Sequence, residues 1–230
     1  MLTIVYSSDY DSITFVYIGP EVKSFGIHKG LLLKASTFFR GIFSGEYKPE
    51  AGAKSEDAVE IMSYDDGSKA ITLLNEDPSI FKRFNDWLYT EKITTRAETA
   101  RDLVWNVIVD TYIFAARRGI PRLQNSCIDV AIRKIEAGGL FPSQAILNPL
   151  WKVTGAVWPL HRLFLQLFAV KCSLKTALAN NQGYCQRFLH DLVIILYEMK
   201  RDGKNRGEVD FWKARTMWYV NKEDNPVAID

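Results

Sequence analysis

The chain has 230 residues, of which 47% are hydrophobic, and a net charge of +2 at pH 7. This composition excludes a disordered chain and supplies a core for one large domain, or for one domain with an extension. A net charge this small favours neither a nucleic-acid-binding protein nor a membrane-surface protein. The most apolar tract, Leu160 to Val170, is shorter than the roughly 20 residues of a transmembrane helix, and the first residues lack the features of a signal peptide. We therefore expect a soluble intracellular protein of the cytoplasm or the nucleus.

Residues that commonly carry chemistry are few in this sequence. The three histidines share no metal-binding spacing, and the three cysteines form no CxxC pair, so we predict neither a metal site nor a cofactor. The cysteines are predicted to be buried thiols in a reducing compartment. Phosphate-binding loops and nucleophile elbows are also missing, so we predict no catalytic residues and no enzyme activity. The residues considered are His28, His161, His190, Cys127, Cys172 and Cys185.

Three strands are predicted near the N-terminus. Leu2 to Tyr6 is apolar enough to form a short leading strand. Residues 13–19 form a strand pattern with little polar alternation, which favours a strand covered on both faces. A turn at Gly19-Pro20 then leads to a second strand over about 22–27.

The stretch from Gly26 to Gly45 predicts two short helices. Its apolar residues recur at the three-and-four spacing of buried helix faces. Ser36 interrupts this pattern with good N-cap chemistry, which divides a helix over 31–35 from a helix over 37–43. Gly45 is predicted to end the second helix in the left-handed conformation.

The next elements are two strands and a helix. Lys48 to Asp57 is polar, carries Gly and Pro, and is predicted to be a surface loop. A brief strand is predicted over 59–63 and another over 70–74. Asp77 is a suitable N-cap for a helix over 79–90, with Pro78 at its first turn.

Two long helices follow, over 100–118 and 121–136, with a domain boundary at residues 137–139. The first is predicted to point Leu103, Val104, Val107, Ile108, Thr111 and Phe114 inward. Four further helices are predicted over 143–153, 159–174, 183–200 and 209–220. The apolar faces of 159–174 and 183–200 require burial, so this tail either packs on the preceding helices or forms a small bundle.

The order of these elements resembles the BTB/POZ family. The shared features are a strand hairpin, His28-Lys29 before a helix, Ser36-x-x-Phe39-x-x-x-Phe43, another strand, and a helix ending in Leu88-Tyr-Thr. The resemblance covers residues 9–136 and implies an α+β fold with a small sheet flanked by helices. Residues 140–220 would then be an all-α extension, as in the short BTB proteins that are numerous in filamentous fungi.

The resemblance implies a protein–protein interaction module, because family members homodimerise or recruit a cullin ubiquitin-ligase scaffold. In the first mode the leading strand and first helix form the contact, with Asp11 and Lys29 in a charged pocket. An acid that caps a turn and a solvated lysine would explain that pair equally well. The implied dimer interface comprises Leu2, Ile4, Tyr6, Asp11, Lys29, Leu31 and Leu32.

The second mode would make the chain a substrate adaptor. The matching residues are Tyr47, as a hydrophobic anchor, and Glu50, but Pro49 stands where the family motif has Glu. We therefore rank self-association above cullin recruitment. In the same family His28 is structural, and we expect it to make a buried hydrogen bond to the backbone.

The alternative to a protein–protein interaction module is a transcription-associated factor that contacts nucleic acid. The densest basic cluster is Arg117-Arg118 with Arg122 nearby. Arginine at a helix C-terminus is stabilised by the helix dipole, which explains the cluster without nucleic acid. The interleaved aromatic and basic residues of single-strand binders are missing. We therefore expect no nucleic-acid and no membrane partner.

Overall fold

The computed structural model describes residues 8–47, 59–65, 69–95, 97–138, 141–153, 158–171, 183–201 and 213–220. The chain divides into two compact units. The first comprises Met1–Ile93 with Asp110–Leu123, and the second comprises Thr94–Val109 with Gln124–Asp230. The division at 9–136 and 140–220 stays a prediction.

The elements confirm the predicted α+β class. The first unit begins with a 3-10 helix, Ser8–Tyr10, and continues with β1 Ile13–Ile18, β2 Lys23–His28, α1 Lys29–Ala35, α2 Thr37–Ser44, β3 Val59–Ser63, β4 Lys69–Leu73 and α3 Pro78–Thr90. Helices α4 Trp105–Arg117 and α5 Pro121–Glu136 each contribute to both units. The second unit adds α6 Gln144–Val153, α7 Pro159–Lys171, α8 Gln186–Arg201 and a 3-10 helix, Arg215–Trp218.

The four strands of the described residues form one sheet in the order β2-β1-β4-β3. Strand β1 is antiparallel to β2, with Val16 opposite Phe25, and parallel to β4, with Val16 opposite Ile71. Strand β3 is antiparallel to β4. The parallel pair needs a long crossover, which the chain between β2 and β4 supplies. The predicted strands 13–19, 22–27, 59–63 and 70–74 are confirmed to within a residue or so at each end.

The two faces of β1 have different environments. Val16 and Ile18 are fully buried on the inner face, where the sheet covers the aromatic core of the first unit. Ile13 and Phe15 on the outer face are 61% and 51% exposed. The prediction of a strand covered on both faces is therefore wrong. The apolar run permitted burial on both sides, but no described element packs over Ile13 and Phe15.

The aromatic core of the first unit is built from α2, α3 and α4. Phe84 lies at its centre, with ring centroids 5.5 Å from Phe81, 5.3 Å from Phe114 and 6.4 Å from Phe39. All four rings are almost fully buried. Edge-to-face and offset geometries of this kind contribute beyond the area that they bury.

Helix α4 begins at Trp105, later than the predicted start near residue 100. The preceding residues form a separate turn, because the Asp102 carboxylate accepts hydrogen bonds from the backbone N–H and the hydroxyl of Thr99. This local bonding competes with helix formation. Val104 lies just before the helix and is 60% exposed, so its predicted inward position is wrong.

Helix α7 provides the core of the second unit. Its apolar face is buried as predicted, and Phe164 packs edge-to-face against Trp105 at 5.4 Å. Helix α8 buries Phe188 but leaves Leu189 44% and Val193 64% exposed. The prediction that the whole apolar face of 183–200 is buried is therefore wrong. Phe188 packs inward, and the Trp151 indole donates to the Asp191 carboxylate of α8 at 3.0 Å.

The predicted helix over 209–220 is also corrected. Within the described residues 213–220 the chain forms a single 3-10 turn, and Tyr219 is already extended, with φ −76° and ψ 145°. The Asn125 side chain of α5 binds the backbone N–H and carbonyl of Val220. Across the described ranges, no helix has the length and apolar character that crossing a membrane requires.

Candidate interaction surface

The junction of β2 and α1 brings Asp11 and Lys29 to one edge of the first unit. Lys29 is the first residue of α1, and its backbone N–H donates to the carbonyl of Ser12 at 2.8 Å. Gly30 lets the N-terminal 3-10 helix approach α1 closely. A Cβ added at Gly30 would lie 2.8 Å from the backbone C and O atoms of Asp9, so only glycine fits there.

The side chains of Asp11 and Lys29 form no ion pair with each other. Asp11 is exposed, while the Lys29 Nζ lies 4.7 Å from the centroid of the Phe43 ring. The neighbouring acid is already paired, since Lys34 donates to the Asp9 carboxylate at 3.1 Å. The backbones of Asp11 and Lys29 are thus close together, as predicted, but their side chains do not form an ion pair.

A groove of about 610 Å³ runs along α1 and α2 beside Lys29. Leu33 and Phe43 provide its apolar part, Lys29 and Arg40 its positive charge, and Glu46 a negative charge at one end. The complete lining is Lys29, Leu33, Thr37, Arg40, Gly41, Phe43, Ser44 and Glu46. The groove thus combines apolar and charged side chains at the surface of the first unit.

The three leucines of α1 have different environments. Leu32 is 0% exposed and belongs to the core of the first unit, so we remove it from the predicted contact residues. Leu31 and Leu33 are half-buried and reach the surface on either side of it. We define the α1 surface as Asp11, Lys29, Leu31, Leu33, Arg40 and Phe43. The predicted contacts Leu2, Ile4 and Tyr6, together with the leading strand, lie outside the described residues.

A second apolar patch lies on the outer face of the sheet, in the same unit. Ile13 and Phe15 project from β1, and Met62 on β3 is 48% exposed. Phe15 stands opposite Gly26 on β2, so no side chain of that residue covers the ring. Sequence reasoning missed this patch, because its residue pattern fits a doubly covered strand equally well.

The predicted cullin-contact residues are less favourably placed. Tyr47 is half-buried and packs edge-to-face on Phe38 at 5.1 Å, while its backbone N–H donates to the carbonyl of Gly41 at 2.9 Å. These contacts hold the ring against α2. Glu50 lies outside the described residues.

His28 is a structural residue, but its partner differs from the prediction. Its Nδ1 is 2.9 Å from the phenol oxygen of Tyr89 at the end of α3, and its ring packs edge-to-face on Tyr10 at 5.1 Å. The predicted backbone partner is therefore wrong. His28 precedes α1 without capping it, and its two tyrosine contacts connect β2 to α3 and to the N-terminal 3-10 helix.

Sequence reasoning also missed a buried ion pair between Arg118 and Glu76. The Arg118 Nη2 and Nε donate to one Glu76 oxygen at 2.6 and 3.0 Å, and the guanidinium lies 4.6 Å from the Phe38 ring. Arg122 pairs separately with Glu91. Two of the three arginines in the densest basic cluster are thus engaged with carboxylates of the same unit.

The described residues contain no group of three or more His, Cys, Asp or Glu side chains arranged to hold a metal ion. Cys127 is buried and Cys185 is half-buried, both as thiols, and Cys172 lies outside the described residues. No family model matches the sequence, and no curated protein does either.

Proposed function

We propose that this chain is a non-enzymatic protein–protein interaction module of the BTB/POZ type that forms a homodimer through the α1 surface. The observation that carries the proposal is the α1 surface itself. It combines apolar side chains, a groove and an exposed acid beside a lysine that does not pair with it. Lys29, Leu33, Arg40 and Phe43 line the same groove of the first unit.

Lys29 is the most informative residue of that surface. A cation in the first turn of a helix is disfavoured by the helix dipole, so helix stability does not explain its position. Its contact with Phe43 is worth about 0.5–1 kcal/mol at an exposed site, which offsets part of that cost. A carboxylate from a second copy of the chain would form an ion pair with Lys29.

A two-fold contact supplies that carboxylate. In an isologous interface each residue contacts the symmetry-related surface, so Asp11 of each copy can pair with Lys29 of the other. Leu33 and Phe43, which line the groove, would form the apolar centre around the two ion pairs. The charges would then fix the register and the apolar residues would supply most of the affinity.

The adaptor alternative has less support, because Tyr47 packs inward on Phe38. In the homodimer, the predicted leading strand over Leu2 to Tyr6 would add backbone hydrogen bonds between the copies, since an open strand edge favours pairing with a second chain.

Light scattering of the purified chain tests the proposal. A homodimer has about twice the 26.3 kDa mass of the chain. Arg40→Glu places a negative charge in the groove at an exposed position and should shift the mass towards the monomer. Val193→Glu, at an exposed site on α8, is the matched control and should leave the mass unchanged. A monomeric wild-type chain at micromolar concentration would refute the proposal.

A further inference from the structure

The second unit binds a segment of its own chain. Asn125 of α5 donates from Nδ2 to the carbonyl of Val220 at 3.1 Å and accepts from the N–H of Val220 at 2.8 Å. These two hydrogen bonds satisfy both backbone groups of one residue. Asn125 is 3% exposed, so this recognition takes place away from solvent. Any residue with a backbone N–H fits this position, but proline does not.

Tyr219, the residue before Val220, binds to Asp129, which lies one helical turn after Asn125 on α5. The hydroxyl of Tyr219 donates to the Asp129 carboxylate at 2.6 Å. Residues four apart share one face of a helix, so Asn125 and Asp129 present a row of polar groups to the segment. Burial raises the pKa of Asp129, and the hydrogen bond from Tyr219 opposes that shift. This position selects a side chain that can donate a hydrogen bond.

Trp218 is the anchor of the segment. It is 2% exposed, whereas the adjacent Met217 is 56% exposed. Its 3-10 turn packs near α7, so the ring is buried within the second unit. Three consecutive residues therefore make three kinds of contact: a buried indole, a hydroxyl–carboxylate hydrogen bond and a backbone pair. Deep aromatic anchors combined with backbone hydrogen bonds are typical of the recognition of short linear peptides.

The segment has local structure as well as contacts with α5. Backbone hydrogen bonds join Met217 to Ala214 at 2.9 Å and Tyr219 to Thr216 at 3.4 Å, and the side chains of Arg215 and Tyr219 are hydrogen-bonded to each other. Because the segment is covalently part of the same chain, its binding is intramolecular, so a modest intrinsic affinity keeps it bound.

We propose that the face of α5 carrying Asn125 and Asp129 is a peptide-binding site, which the chain's own Trp218-Tyr219-Val220 occupies in cis and thereby closes. The ligand is a short peptide with an indole anchor, a hydrogen-bond-donating residue after it, and a third residue other than proline. Such a peptide binds only when the cis segment is displaced. This site belongs to the second unit and is independent of the α1 surface, so either proposal can fail without the other.

The experiment measures binding of a fluorescein-labelled peptide with the sequence of residues 213–220 to the full-length chain by anisotropy. Trp218→Ala removes the cis anchor and should strengthen peptide binding about tenfold or more relative to the wild-type chain. Adding Asn125→Ala to that variant should reverse the gain, whereas adding Glu136→Gln, at an exposed position on the same helix, should preserve it. A peptide with proline at the Val220 position should not bind.

With folded variants, three results would overturn the proposal: no peptide binding by the Trp218→Ala chain, binding that Asn125→Ala leaves unchanged, or equal binding of the proline peptide. Circular dichroism establishes whether the variants are folded. If Trp218→Ala unfolds, Val220→Pro releases the end of the segment and leaves Trp218 in place. Unfolding of both variants would show that the segment is an integral part of the core and would also reject a displaceable ligand.

Discussion

Arg118 and Glu76 form the most buried ion pair among the described residues of the first unit, with side chains only 4% and 8% exposed. The guanidinium donates twice to one carboxylate oxygen, and the backbone carbonyl of the same arginine accepts from the Ser36 hydroxyl at 2.5 Å. This single residue therefore connects the end of α4 to the start of α2 and to the loop before α3. The α1 surface depends on this junction, because α1 and α2 meet at Ser36.

Glu76→Gln should destabilise the chain by about 3–5 kcal/mol, because removing one partner leaves the Arg118 charge buried and uncompensated. Urea unfolding measures the change. Asp86→Asn removes the exposed i,i+4 pair with Lys82 and should cost less than about 1 kcal/mol. Equal losses in the two variants would mean that the Arg118–Glu76 pair is not effectively buried.

Gly119→Ala should be destabilising for two reasons. Gly119 has φ +58°, which disfavours any residue with a Cβ, and a Cβ added there would collide with the Thr37 hydroxyl. Gly45→Ala is the matched control, since Gly45 has φ +81° and nothing within 4 Å of an added Cβ. Gly45→Ala should lose about 1–2 kcal/mol from backbone strain alone, and Gly119→Ala should lose more. Thermal unfolding compares them, and equal losses would exclude the collision with Thr37.

Ser36→Ala should cost more than Asp77→Ala, although both residues are N-caps. Asp77 accepts from the N–H of Ser79 at 2.6 Å at an exposed position, and losing such a cap costs about 1 kcal/mol. Ser36 accepts from the N–H of Phe39 and also donates to the Arg118 carbonyl, and it is fully buried. Removing the hydroxyl leaves the N–H of Phe39 and the carbonyl of Arg118 without this partner. Denaturant unfolding of both variants checks the order, and a smaller loss for Ser36→Ala would contradict it.

Protonation of His161 should destabilise the second unit as the pH falls. Burial lowers its pKa to about 4 from the ordinary value of 6.5. Its Nδ1 accepts from the N–H of Trp158 at 3.2 Å, and its Nε2 is 3.3 Å from the Leu150 carbonyl, so the neutral ring fits both contacts. On α8, Arg187 opposes the charged form and Asp191 favours it.

The direction of the pH dependence follows from whether the folded or the unfolded chain binds the proton. Between about pH 6.5 and 4 the unfolded chain protonates His161 and the folded chain does not, so stability is lost as the pH falls through this window, by about 3 kcal/mol in total. Unfolding free energies at pH 7 and pH 5 should differ less for His161→Gln than for the wild-type chain. His190→Gln, at an exposed site, is the control. An unchanged pH dependence in His161→Gln would contradict the assignment.

The features that the sequence predicts correctly depend on residues close together in the chain. Ser36 and Asp77 cap helices through N–H groups two or three residues away, and Gly45 ends α2 with φ +81°. The strands and the two-helix segment after them follow from local apolar spacing. These elements account for the α+β class and place Lys29 at the start of α1.

The features that the sequence does not predict depend on distant residues. Glu76 and Arg118 are 42 positions apart, and Asn125 and Val220 are 95 apart, so no local pattern pairs them. The extended backbone of Tyr219 ends the helix that the pattern predicts, and α5 binds the Tyr219 hydroxyl and the Val220 backbone there. The exposure of Phe15 is likewise decided by which elements pack on the sheet.

The central claim is that two copies associate through Asp11 and Lys29, and charge reversal tests it most directly. Asp11→Lys and Lys29→Asp should each shift the light-scattering mass towards the 26.3 kDa monomer, because each places like charges opposite each other across the two-fold contact. The double variant restores opposite charges and should recover the dimer mass. A monomeric wild-type chain, or single variants that keep the wild-type dimer mass, would contradict the account.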